Sequence, residues 1–226
     1  MPSRLRPKAS VATDAILVGD PGRALLLAQE LLEQPRMSNH ARGLWGYSGQ
    51  TSTGSELTIQ ATGMGGPSAA MVVADLAKLG VRRAVRVGTC VGLEPEVRLG
   101  ALRLVTEAMA TAGSAASFGL ATGETIQPDP GLTEQLRIAL GKQAHPTRVA
   151  SFDAMPPDST DADLDAPAAD MQTVATLARA RQLGIGSAAV LIVAEDLAAE
   201  SIADDALEEA SKLAGRAASL ALESMP

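Results

Sequence analysis

Aromatic residues are almost missing from this chain, which has one tryptophan, one tyrosine and two phenylalanines among 226 residues. Any aromatic near a candidate site therefore stands out. Cysteine occurs once, at Cys90, so no internal disulfide is possible, and the usage fits a reducing cytoplasm. Cys90 follows an apolar strand and reads as a small core residue rather than a nucleophile. Of two histidines, His40 lies in a loop, His145 precedes a proline, and neither has metal-ligand spacing. No metal is expected. No apolar run is long enough to span a membrane. The basic stretch 1–14 lacks the apolar core of a secretory signal. A formal net charge of −7 argues against a nucleic-acid backbone as partner.

Two glycine turns carry the signal. At 18–24 the chain reads VGDPGRA: an apolar run ends at Gly19, and Asp20-Pro21 is a good helix start. At 63–69 it reads GMGGPSA, where Gly65 and Gly66 allow close backbone approach and Pro67 fits the first helical position. The run 83–88 is short and β-branched, so a strand delivers Arg86 and Thr89 to its carboxyl end. That edge is where open α/β sheets hold ligands. Arg86 interrupts an apolar strand, and a buried guanidinium without a partner is very costly. It needs an anion, and its planar fork suits phosphate or carboxylate. Arg23 and Arg42 lie in polar surroundings and also fit solvated surface residues. Arg82 and Arg83, at a strand start, read as exposed.

Apolar runs alternate with helical periods along the chain. Strands are predicted at 15–19, 56–62, 83–88, 102–106, 148–152 and 188–193. Helices are predicted at 22–33, 67–79, 131–142, 172–183 and 204–223. The segment 43–54 reads as a hairpin or loop, and 155–167 as a mobile surface loop. With no repeat and no convincing linker, residues 1–226 read as one domain. The expected fold is α/β, a three-layer α/β/α arrangement around a central mixed sheet.

These segments together resemble the nucleoside phosphorylase family, which includes bacterial hexameric purine nucleoside phosphorylases and uridine phosphorylases. The resemblance rests on VGDPGRA at 18–24, SNHARGLWGYSG at 38–49, GMGGPSA at 63–69 and RVGTC at 86–90. It continues with ADMQTVA at 169–175 and LIVAED at 191–196, all in family order. It implies phosphate-dependent cleavage of a nucleoside to free base and pentose 1-phosphate, with a purine as the base. Orthophosphate is then the co-substrate, and no other cofactor is needed. Gly19, Arg23, Arg86 and Thr89 are implied at the phosphate. Arg42 is implied at the phosphate of a neighbouring subunit, so a homo-oligomer built from dimers is expected, a hexamer being the family habit. Asp196, at a strand end, is implied to protonate the leaving purine, and it also fits a cap for 197–200. A carboxyl group does this when its site raises its pKa. Met171 is implied at the sugar and base, and Phe152 or Met155 as the surface that stacks on the base, although Phe152 also fits a core residue ending a strand.

Two departures from the family stand out. Relatives carry glutamate after the methionine to accept from the ribose hydroxyls, and here the position is Gln172. An amide oxygen still accepts, but the NH2 donates and the charge is gone. Restoring glutamate should raise activity on ribonucleosides if the enzyme is merely slow. Relatives also use an N-terminal histidine at a neighbour's sugar; no histidine precedes His40 here, so that contact is either absent or taken over by another residue such as Ser3 or Arg4. The alternatives are a uridine or pyrimidine nucleoside phosphorylase, a hydrolase that uses water, and a nucleoside-binding protein without catalysis.

Overall fold

The computed structural model describes residues 4–111, 113–143, 145–154 and 165–225. Most of the segment 155–167, read above as a surface loop and including Met155, lies outside them. The chain opens with β1 (Asp14–Val18), α1 (Pro21–Leu31), β2 (Glu33–Asn39), β3 (Gly46–Gln50), β4 (Glu56–Ala61) and α2 (Gly65–Lys78). Then come β5 (Arg83–Gly92), β6 (Leu102–Ala110), the single turn α3 (Gly113–Ala116), β7 (Thr125–Ile126) and α4 (Pro130–Leu140). The last elements are β8 (His145–Ser151), β9 (Ala168–Asp170), α5 (Thr173–Gln182), β10 (Gly186–Glu195) and α6 (Asp204–Glu223).

Strand alternation builds the layers. In β1, Ile16 and Val18 enter a core with Ala24, Leu27 and Ala28 of α1, Leu132 and Leu136 of α4, and Ala214 and Ala218 of α6. Ala15 and Leu17 point the other way, onto Val72, Val73 and Leu76 of α2. This is the period-2 rule applied to a sheet covered on both faces. Helices α1, α4 and α6 thus cover one face, and α2 and α5 the other. The expected three-layer mixed sheet is what the chain forms.

The sheet is less open than the apolar runs suggest. β5 pairs with β1 and β10 in parallel and, at its far end, with β9 antiparallel through Val91↔Ala169. β10 pairs with β6, β6 with β8, and β8 with β9. Strands β5, β10, β6, β8 and β9 therefore close a ring. Ala189, Leu191 and Val193 of β10 join Val105, Val149, Ala168 and Cys90 in one core with Val174 and Leu177 of α5.

Some local expectations hold and others shift. The stretch 43–54 is a hairpin arm: β3 pairs antiparallel with β4, and Gly54 turns at φ +86°. α2 begins at Gly65 with Met64 as N-cap, two residues before Pro67, whose missing N–H still falls in the first turn. Asp20 caps α1 as expected, accepting from Gly22 N at 3.1 Å and Arg23 N at 3.0 Å. Arg83 is half-buried in a two-pronged pair with Asp14 at 2.7 and 2.8 Å rather than solvated.

Helices α1 and α6 cross where Gly215 leaves room for Leu27, whose Cδ2 would lie 2.6 Å from a Cβ at residue 215. Leu27 is fully buried. Leu27→Ala should lower unfolding free energy by about 2–5 kcal/mol, as for other large-to-small core changes. Urea denaturation followed by circular dichroism would measure it.

Candidate active site

The carboxyl ends of β1, β5 and β10 and the glycine turn before α2 surround a cleft of about 490 Å³. Its wall includes Gly19, Arg23, Gly63, Met64, Arg86, Thr89, Met171, Gln172 and Glu195. Six of the residues expected at the site, Gly19, Arg23, Arg86, Thr89, Met171 and Gln172, are thus brought together. Parity explains Arg86: Val85 and Val87 face the α1–α6 core, so Arg86 faces the α2–α5 side, where the cleft lies.

Arg86 is only 4% exposed, and the protein supplies its partners. Nη2 donates to Asp170 Oδ2 at 2.9 Å, Nη1 to Gln172 Oε1 at 2.7 Å, and Nε to Thr173 Oγ1 at 3.3 Å. Asp170 is buried too, and it also accepts from Ser151 Oγ at 2.6 Å and Thr173 Oγ1 at 2.7 Å. A guanidinium carries five N–H donors, so two remain for a ligand. The next residue on that face is Gly88, and a Cβ there would lie 2.6 Å from the Arg86 Cζ. The glycine of RVGTC is the floor on which the guanidinium lies.

Arg23 is the opposite case. Its side chain reaches the cleft from the first turn of α1. Among the described residues no hydrogen bond or salt bridge engages its guanidinium. Burial is the largest influence on it and pushes its pKa down, Asp20 pulls it back up, and the neighbouring Arg86 cation pushes it down again. Two positive groups face one cleft, and one of them is unmatched.

The carboxylate at the far end of the cleft is Glu195. A β-bulge separates Val193, paired with Cys90, from Glu195, paired with Val91. Regular alternation would put Glu195 on the buried face of Val193, and the extra residue turns it onto the Val91 face instead. The bulge was not legible as a run of residue types. Asp196, expected at this position, lies one residue past the cleft wall. Its Oδ1 accepts from Ala198 N at 2.9 Å and Glu200 N at 3.0 Å, closing a turn where its other reading had a helix cap.

Two more expected residues stand apart from the cleft. Phe152 is buried in a separate cluster with Met109, Ala150, Ala166 and Ala169, on the strand face opposite Val149 and Ala168. Arg42 has a left-handed backbone (φ 61°) and lines a separate groove with Arg4, Leu44, Gly63 and Met71. Gly63 is common to both walls. Cys90 is buried and its thiol is pushed up to about 12, chiefly by burial, so it stays protonated.

The fold has known counterparts. Residues 13–225 match the family model described as Phosphorylase superfamily, and the chain belongs to that family. It is 37% identical over 93 residues to a purine nucleoside phosphorylase of DeoD type from Caldanaerobacter subterraneus subsp. tengcongensis. It is 38% identical over 93 residues to that of Oceanobacillus iheyensis. These matches span 41% of this chain and 40% and 39% of the two relatives, so the chain matches well under half their length. Two solved structures share the fold with a TM-score of 0.83 each. Purine nucleoside phosphorylase from Toxoplasma gondii is 19% identical, with 95% of this chain and 92% of that chain covered. Uridine phosphorylase from Vibrio fischeri ES114 is 21% identical, with 95% and 93% covered.

The buried Asp170–Arg86 pair makes a direct test. Asp170→Ala should cost about 3–5 kcal/mol of stability, because the guanidinium is left buried with its counter-charge gone. Chemical denaturation would read this, and a loss below about 1 kcal/mol would show that the pair is not the anchor described.

Proposed function

We propose that the cleft catalyses phosphate-dependent cleavage of the N-glycosidic bond of a nucleoside, giving free base and pentose 1-phosphate. The observation that carries this reading is Arg23. A partly buried guanidinium without a protein partner is expensive, and an anion in the cleft offsets that cost. Orthophosphate has the charge and size to bridge Arg23 and the two spare donors of Arg86, with the Thr89 hydroxyl beside them. A phosphate oxygen would form the new bond to C1′ as the bond to the base nitrogen breaks, its electron pair leaving with the base. Fixed cations facing that anion position the nucleophile and need no reorganisation as charge shifts. No cofactor beyond orthophosphate enters the scheme.

The departing base needs a proton or a hydrogen-bond donor. In our reading Glu195 supplies it, because Glu195 lines the cleft and Asp196 is engaged in its turn. A purine is the proposed base, since the curated relatives are named for purine nucleosides. The likeness to a uridine phosphorylase keeps pyrimidines as the second reading.

The same reading makes the chain a homo-oligomer. Met64 in the cleft wall is 84% exposed, and Met71 in the groove is 40% exposed. Covering these two would carry Arg42 of one copy towards the cleft of another. The single cysteine suits a cytoplasmic enzyme.

Inosine, adenosine, guanosine and uridine should be incubated with the protein with and without orthophosphate, and free base followed by chromatography. Purine release that depends on phosphate is expected, while release in its absence would identify a hydrolase and remove the assigned role of Arg23. Glu195→Gln should lower kcat by about 10²–10⁴-fold, the usual span for a lost general acid, with phosphate affinity retained. Asp196→Asn should cost much less, and the reverse ranking in steady-state kinetics would return the acid role to Asp196.

A further inference from the structure

Gln172 occupies the position where an acceptor for the sugar was expected, but its amide is already engaged. The side chain is only 4% exposed. Oε1 accepts from Arg86 Nη1 at 2.7 Å and lies 3.0 Å from the Thr62 hydroxyl. Nε2 donates to the Gly63 carbonyl at 2.5 Å. Which end is which follows from chemistry, because arginine can only donate and a carbonyl can only accept. The neutral amide therefore joins the two walls of the cleft: Arg86 on β5 and the glycine turn ahead of α2.

That turn needs an external hold. Gly63 and Gly65 both have left-handed backbones, at φ +73° and +76°, and glycine in such a turn loses more freedom on ordering than any other residue. Within the turn, Ser68 Oγ donates to Thr62 O at 2.6 Å. Thr62, at the head of the turn, donates to Val18 O of β1 from N at 2.7 Å and Oγ1 at 3.0 Å, and Gln172 supplies the tie across to Arg86 on β5. Gly19, on the facing turn, lies close by, since a Cβ there would be 3.6 Å from Gly63 O and 3.9 Å from Gln172 Oε1.

We propose that Gln172 is a positioning residue for the anion site, holding the Gly63–Gly65 turn against Arg86 through an amide that must both accept and donate. It is not the sugar's acceptor. This rests on the phosphorolysis reading and adds to it a reason why glutamine, rather than glutamate, stands here. A glutamate would keep the contact to Arg86 but turn an anionic oxygen on the Gly63 carbonyl, pushing the turn outward. It would also place a second carboxylate beside Arg86, in competition with phosphate. Restoring the family's glutamate should therefore weaken the site instead of improving it.

The test is titration of the full-length protein with inorganic phosphate by calorimetry, for wild type, Gln172→Glu and Gln172→Met, with thermal melting to confirm folding. Both variants should bind phosphate at least about tenfold more weakly, from loss of a buried hydrogen bond. In steady-state kinetics the KM for phosphate should rise more than the KM for nucleoside, a split that general destabilisation would not produce. Phosphate binding by Gln172→Glu equal to or tighter than wild type, or a lowered nucleoside KM alone, would overturn the proposal. If Gln172→Glu does not fold, the uncharged Gln172→Met decides alone, and unchanged affinity there also overturns it. Wild-type protein that binds no phosphate would instead overturn the phosphorolysis reading.

Discussion

A buried arginine on a sheet face dictates much of what surrounds this cleft. Arg86 cannot remain among apolar strands without compensation, because an uncompensated charge there costs several kcal/mol. Its compensation is assembled from four residues on three elements. Asp170 ends β9, Ser151 ends β8, and Gln172 and Thr173 open α5. β9 is only three residues long, yet it closes the ring onto β5 through Val91↔Ala169 and Gly92↔Ala168. Ring closure and charge pairing thus come from the same short strand. The register that brings Ala168 and Ala169 against β5 also brings Asp170 to the guanidinium.

The polar groups of the cleft divide by whether the fold has already used them. Asp170, Gln172 and Asp20 have taken up backbone donors, hydroxyls or Arg86. Arg23, Thr89 and Glu195 line the cleft, and no hydrogen bond or salt bridge involving their side chains occurs among the described residues. The groups left unspent are the ones offered to a ligand, and the spent ones fix their positions. The arrangement leaves guanidinium groups near β1 and β5 and a carboxyl group at the end of β10. A ligand with an anionic part and a proton-accepting part matches that polarity better than a neutral sugar alone.

The sequence made the residue types legible wherever local rules apply. Asp20-Pro21 announced a capped helix, continuous apolar or β-branched runs announced β1 and the inner half of β5, and an arginine inside an apolar run announced a buried anion partner. That partner proved to be first of all Asp170, some eighty residues away, and no local pattern could assign it. β2 escaped because Glu33–Asn39 is polar and exposed at a sheet edge and contains a proline, tolerated at such an edge but depleted from strands in general. Ring closure escaped because pairing order is a non-local property. Phe152 was expected at the base from the family resemblance and from its rarity as an aromatic, yet neither says which face of a strand a side chain occupies.

The adjacent acids at the end of β10 show how one extra residue redistributes roles. Beyond the bulge at Ala194, the chain doubles back: Ile202 N donates to Ala194 O at 2.9 Å, and Glu195 bridges Ser201. Between them Asp196 N donates to Glu200 O, Ala199 takes a left-handed turn at φ 58°, and the Asp196 carboxylate gathers two backbone N–H groups. A carboxylate accepting main-chain donors stiffens the loop that it closes. That loop fixes the bulge, and the bulge aims Glu195 at the cleft. In the reaction proposed for this site, Asp196 then acts through its neighbour: one acid sets the turn, and the other meets the base. A loop held this way keeps Glu195 both solvent-accessible and directed, which a proton donor at the mouth of a cleft requires.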